Sequence, residues 1–166
     1  LPSRVLAARG VTDRKSAERY LSKSPNELFD PMLLPDMEKA VNLIQDSLEK
    51  SEKIAIYGDY DVDGVTSTCI VLKYLRARGA DCTYYIPDRL NEGYGLSACA
   101  IRKLADQGTK LIITVDTGIT AIDEVVYAHS LGLRIIITDH HECKDAIPSA
   151  DAVVNPKRPD SVYPFK

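Results

Sequence analysis

The sequence predicts an α/β fold, a five-stranded, mainly parallel sheet with helices on both faces, preceded by short N-terminal helices. Two observations carry that expectation. Short apolar runs rich in β-branched residues occur at Lys53–Tyr57, Asp81–Ile86, Leu111–Val115, Arg134–Thr138 and Ala152–Val154. The first four are too short for helices and too continuous for strands with one wet face, so they read as buried parallel strands. Between them lie helical patterns at Val65–Arg78, Ala98–Gln107 and Ala121–Leu131, each followed by a glycine (Gly79, Gly108, Gly132) where a helix commonly stops. Alternating strands and helices of this kind build a parallel sheet with right-handed connections.

In chain order, Thr12 and Asp13 can open a short helix whose Ala17, Tyr20 and Leu21 share one face. A turn-rich stretch from Ser24 to Pro35 follows. Asp36 then stands as an N-cap before Met37, Ala40, Val41, Ile44 and Leu48, whose spacing of three and four is that of an amphipathic helix. Residues 1–52 are therefore expected to be a helical scaffold segment and residues 53–166 the chemical domain. Ser97 and Thr120, the latter with Asp123, supply capping chemistry for the later helices.

At 166 residues the chain corresponds to about one domain, and 45% hydrophobic with 27% charged residues is ordinary for a globular protein. No apolar run approaches the ~18 residues that span a bilayer, and no basic-then-apolar leader opens the sequence, so neither a membrane nor a secreted protein is expected. Four scattered cysteines, Cys69, Cys82, Cys99 and Cys143, show no Cys-x-x-Cys spacing and read as free thiols of a cytoplasmic protein. Lys and Arg number 21 against 24 Asp and Glu, which argues against a basic protein that coats nucleic acid through its own charge. An enzyme whose metals supply the positive charge stays open. The acidic surplus falls in residues 111–166, with five basic and eight acidic side chains.

In an open parallel sheet, ligands bind beyond the C-terminal strand ends. The first run leads into Gly58-Asp59-Tyr60-Asp61-Val62-Asp63-Gly64, the third into Asp116-Thr117-Gly118, the fourth into Asp139-His140-His141-Glu142 and the fifth into Asn155-Pro156-Lys157-Arg158. So many carboxylates at one edge would repel one another strongly unless a divalent cation joined them. Oxygen ligands suit Mg²⁺ and Mn²⁺, and imidazoles shift the preference toward Mn²⁺. Two such ions can clamp a phosphoryl group and activate water, which points to phosphoester hydrolysis. Each Asp taken singly also fits a helix cap, and His129, inside a helical pattern, reads as structural. Gly64 and Gly118 permit a tight turn or a close backbone approach.

Asp139-His140-His141 after a strand, Asp-x-Asp after the first strand and Val-Asp-x-Gly after the third together resemble the DHH phosphoesterase superfamily. Within it the chain is most similar to the branch of exonucleases specific for single strands. The stretches Ile56–Ser67, Tyr85–Arg89, Glu92–Leu96, Thr114–Ile119, Thr138–His141, Val154–Lys157 and Tyr163–Lys166 carry the likeness, with Asp30-Pro31 and Lys39-Ala40-Val41 adding to it.

The resemblance implies hydrolysis of phosphodiester bonds with Mn²⁺ or Mg²⁺, two ions in the complete enzyme. In this branch the substrate is single-stranded nucleic acid, DNA rather than RNA, degraded from its 5′ end in repair and recombination. It implies Asp61, Asp63, Asp116 and His140 as metal ligands and Asp59 and His141 as supporting or alternate ones. Asp139 joins that ligand set; Asp61, Asp63, Asp116, His140 and His141 form the catalytic set. Arg89 is implied as a phosphate contact through its guanidinium, with Asn155 and Lys157 as further substrate contacts. Pyrophosphatase-like relatives carry His where this chain has Tyr57, which favours the exonuclease branch. The family's fourth motif, a further Asp ligand, and a second domain called DHHA1 are expected beyond Lys166. The chain, which opens at Leu1 and stops in mid-pattern, is thus expected to be an inactive or weak N-terminal fragment. Three other readings remain. One is a DHH-type oligonucleotide or cyclic-dinucleotide phosphodiesterase. Another is a haloacid-dehalogenase-type phosphatase, whose nucleophile loop Asp61-Val62-Asp63-Gly64-Val65-Thr66 imitates. The last is a non-catalytic scaffold.

Overall fold

The computed structural model describes residues 2–22, 24 and 28–164. Residues 25–27 of the turn-rich stretch, and Phe165 and Lys166 of the last motif, lie outside the described residues. The chain forms two compact units, Leu1–Asp30 and Pro31–Lys166. The first holds α1 (Pro2–Ala8) and α2 (Arg14–Leu21). Asp13 caps α2 by accepting the Ser16 N–H at 2.9 Å, and the helix buries none of its residues.

The second unit runs α3 (Met37–Glu49), β1 (Lys53–Gly58), α4 (Val62–Ala77), β2 (Cys82–Tyr85), α5 (Ala98–Asp106), β3 (Thr109–Val115), α6 (Ile122–Ser130), β4 (Arg134–Thr138) and β5 (Ala152–Val154). All four strand pairings are parallel, in the order β2-β1-β3-β4-β5. Both faces are covered, which is why the strands are continuously apolar. Ile54, Ile56, Leu111, Ile113 and Ile136 point to the side of α3 and α4. Ala55, Tyr57, Ile112, Ile135 and Ile137 point to α5 and α6. Each fully buried isoleucine contributes roughly 1.5–3 kcal/mol by leaving water. Gly79, Gly108 and Gly132 all adopt positive φ, as expected of residues that stop helices.

The second unit begins at Pro31, with α3 packing Ala40 against the Ile54–Ile56 face ahead of the strands. Two local expectations change. Helix α4 starts at Val62 and not Val65, since the Asp61 side chain caps it. Helix α6 takes Ala121 as its N-cap residue, with no side-chain cap bond, so Thr120 does not cap it.

Asp36 stands at the expected N-cap position of α3 but makes no side-chain cap bond. Its backbone is left-handed, with φ 54°, and its Oδ2 accepts the Val153 N–H at 3.0 Å and Arg158 Nη1 at 2.7 Å. The residue thereby ties the start of α3 to β5. Burial works to raise its pKa, and the Val153 N–H and the Arg158 guanidinium outweigh that and hold the carboxyl below its ordinary value. A depressed folded-state pKa stabilises above the unfolded value and is lost as pH falls through the folded one. Asp36→Ala should therefore cost about 1–3 kcal/mol at neutral pH by orphaning these donors. In urea unfolding, the gap from wild type should close as the pH drops below the ordinary carboxylate range.

Candidate metal centre

The chain steps outward from β1 to β2 and then returns across β1 to β3. The connections leaving β1 and β3 therefore part at their shared C-terminal edge, which opens a crevice there. Asp59 and Asp61 follow β1, Asp116 follows β3, and His140 and His141 follow β4.

The first loop is shaped by backbone crowding. A Cβ on Gly64 would lie 2.3 Å from the Asp59 carbonyl oxygen, and one on Gly58 would lie 2.1 Å from Thr68 Oγ1. Only glycine lets the first turn of α4 seat this close to the end of β1. So seated, Asp61 Oδ1 accepts the N–H groups of Asp63 and Gly64 at 2.9 and 3.0 Å. The Gly64 N–H is the main cause that holds the Asp61 carboxyl below its ordinary pKa. Asp59 is buried, and its Oδ1 has no hydrogen-bond partner among the described residues.

Asp116 has a left-handed backbone, φ 60°, unusual for a residue with a side chain. Its N–H donates to Thr138 O at 3.1 Å. Thr114 Oγ1 donates to Thr117 O at 2.7 Å and tightens the turn that follows. Burial and the neighbouring Asp61 charge push the Asp116 pKa up, with His140 opposing through the 2.9 Å contact between its Nε2 and Asp116 Oδ1.

Two ligand groups result. Asp116, His140 and His141 offer ligand atoms within 4.8 Å of one another, and so do Asp59, Asp61 and Asp116. Asp116 belongs to both. The donors fit divalent cations on three counts: mixed carboxylate and imidazole chemistry, a buried unpaired oxygen on Asp59, and an Asp116 carboxyl pushed up by burial and then by the Asp61 charge beside it.

The other expected site residues stand outside these two groups. Asp63 rides the exposed first turn of α4, outside both groups, and faces a groove it shares with Ser67, Val71, Asp116 and His140. Asp139, expected as a ligand, has a side chain 1% exposed with hydrogen bonds on both oxygens. Its Oδ2 accepts the Ile119 N–H at 2.9 Å, and its Oδ1 accepts those of His140 and His141 at 2.7 and 3.1 Å. The same oxygen lies 2.7 Å from His141 Nδ1. An oxygen with these partners acts as acceptor, so Nδ1 carries the proton and Nε2 is the ring's free ligand atom. Asn155, expected to touch substrate, is buried, with its amide donating to His141 O and accepting from the Lys157 N–H. Lys157 pairs with Glu142 at 2.8 Å. Arg89 lies over the Tyr60 ring at 5.4 Å, on the loop that follows Asp59. The residue that sequence reasoning missed is Tyr94, whose ring stands edge-on to His141 at 5.9 Å. It lies between Gly93 and Gly95 in the Glu92–Leu96 stretch that carries the family likeness.

Residues 53–162 match the N-terminal domain of the DHH family. The chain belongs to the DHH family. Over 166 residues this DHH chain is 45% identical to the single-stranded-DNA-specific exonuclease RecJ of Bacillus subtilis, covering 100% of itself and 21% of that protein. It is 36% identical over 164 residues to the Escherichia coli RecJ of the same description, covering 98% and 28%. The chain thus spans only about a quarter of the length of these relatives. Among solved structures, a manganese-bound exonuclease RecJ matches with TM-score 0.75 and 33% identity over 82% of this chain and 35% of that one. RecJ from Thermus thermophilus in complex with Mn²⁺ matches with TM-score 0.70 and 29% identity over 95% and 22%.

The glycine contact can be tested directly in this DHH domain. Gly64→Ala should destabilise the fold by about 1–3 kcal/mol, because backbone and not a flexible side chain must yield. It should also weaken Mn²⁺ binding, measured by titration calorimetry, since Asp59 and Asp61 move with the displaced turn.

Proposed function

We propose that this chain is the DHH portion of a single-stranded-DNA-specific exonuclease that uses Mn²⁺ or Mg²⁺ and degrades strands from the 5′ end in DNA repair and recombination. The observation that carries the reading is the pair of ligand groups joined through Asp116 at the β1/β3 crevice. Asp59, Asp61 and Asp116 would hold one ion, and Asp116, His140 and His141 a second. Bound there, two divalent ions supply positive charge to a phosphoryl group and lower the pKa of water.

The chain's own residues prepare that site. Helix-terminal N–H groups keep Asp61 ionised, and Asp139 fixes the His141 ring with its Nδ1 proton turned inward. Arg89, whose guanidinium lies over Tyr60, is the proposed contact for a backbone phosphate. Lys157 is shared with Glu142, and its charge is partly spent. A covalent phosphatase mechanism is disfavoured, because Asp61 spends an oxygen on capping α4 and His140 and His141 would have no task. Among the described residues no helix is long and apolar enough to cross a membrane, and the proposed place of action is the cytoplasm.

The test is nucleotide release by the full-length protein from end-labelled single strands. A 5′ label should be released first, only with Mn²⁺ or Mg²⁺ present, and DNA should outpace RNA. His140→Ala should lower the rate by roughly 100-fold, the upper end for disturbed metal sites. Release from the 3′ end first, undiminished hydrolysis in chelator, or a phosphoenzyme trapped on Asp61 would refute the reading.

A further inference from the structure

The connection from β2 to α5, residues 86–97, is pinned on both sides of Tyr94. On one side, the Glu92 carboxylate accepts the Tyr85 hydroxyl at 2.7 Å and the Asp88 N–H at 3.1 Å. Asp88 Oδ1 in turn accepts the N–H groups of Leu90 and Asn91 at 2.9 and 3.0 Å, which closes the turn. On the other side, the hydroxyl of Tyr57, a residue wholly buried in β1, donates to Gly95 O at 3.1 Å. The Tyr57 and Tyr85 rings stack at 5.3 Å, so the two pins share one aromatic base. Burial pushes the Tyr57 hydroxyl up to about 12, so it remains a donor.

Between the pins, Gly93 and Gly95 both have positive φ, 76° and 94°. These two reversals flank Tyr94, which is 52% exposed and sets its ring plane at 76° to that of His141. The Tyr94 hydroxyl lies 3.4 Å from His141 Nδ1, whose proton already points to Asp139. At 3.4 Å a hydrogen bond there is long and weak beside the 2.7 Å one to Asp139, so the contact works mainly through the edge of the ring. The His141 side chain is 47% exposed, and its ring is bounded by the Asp139 contact, by the His140 ring at 4.7 Å and by the Tyr94 edge.

We propose that Tyr94 is a positioning residue for His141, a wall held by Tyr57, Tyr85 and Glu92 that keeps the imidazole within reach of Asp116 and His140. The proposal deepens the metal-centre reading and rests on it. A wall acts only through the residue behind it, so its loss should be felt only while His141 is present.

The experiment is a double-mutant cycle in the full-length chain, read by Mn²⁺ titration calorimetry with the metal alone as probe. Tyr94→Ala should weaken the affected Mn²⁺ site roughly three- to tenfold, the worth of one edge-to-face pair. His141→Ala should weaken it more, and the double variant should match His141→Ala within about twofold. Tyr94→Phe keeps the ring edge and should bind as wild type does. Tyr57→Phe removes a pin without touching the site and should reproduce part of the Tyr94→Ala loss. Multiplying losses in the double variant, a Phe variant as weak as the Ala variant, or wild-type Mn²⁺ binding by Tyr94→Ala would each overturn the proposal. If His141→Ala itself leaves Mn²⁺ binding unchanged, the metal-centre reading falls along with it.

Discussion

Asp116 stands in both ligand groups because its backbone is held left-handed at the end of β3, between the loops that leave β1 and β4. Its N–H continues the β3–β4 ladder to Thr138, so the residue is fixed to the sheet while its side chain turns toward Asp61 and His140. Strain of this kind costs about 1–3 kcal/mol and persists only where its surroundings enforce it. Here the enforcement comes from the Thr114 hydroxyl bond to Thr117 O and from Gly118, whose φ of 112° suits no side chain. The crowding of Gly64 on Asp59 does the same work for β1. Two backbone devices thus bring carboxylates from neighbouring strands closer than their charges alone would allow.

The sheet was legible because buried parallel strands write themselves as unbroken apolar runs, and β4 and β5 match their runs residue for residue. Strand and helix ends were less so. Asp61-Val62-Asp63-Gly64 reads as loop, yet a side-chain cap draws it into the first turn of α4. Asp36 reads as a cap and instead reaches Val153 and Arg158, more than 100 residues away in sequence. No local pattern encodes such a partner.

In the site, residue type and strand-end position pointed to Asp59, Asp61, Asp116, His140 and His141, which the fold brings together in two groups. The division of labour among carboxylates was not visible. Asp63 and Asp139 share the chemistry of their neighbours, yet Asp63 sits on an exposed helical turn facing the groove of Asp116 and His140, and Asp139 accepts from backbone N–H groups. Asn155 looked like a polar residue at a strand end and is a buried brace for His141. Tyr94 stands in the Glu92–Leu96 stretch of the likeness, but its contact with His141 depends on the distant pin Tyr57 as well as on neighbouring Glu92, which no local pattern shows.

The central claim is that one carboxylate joins two divalent-ion sites. Counting bound Mn²⁺ per chain by equilibrium binding in Asp61→Ala, His140→Ala and Asp116→Ala tests it most directly. The account predicts that the first two variants each weaken a different site and spare the other, while Asp116→Ala weakens both together. An Asp116→Ala protein that keeps either site at full affinity would contradict it.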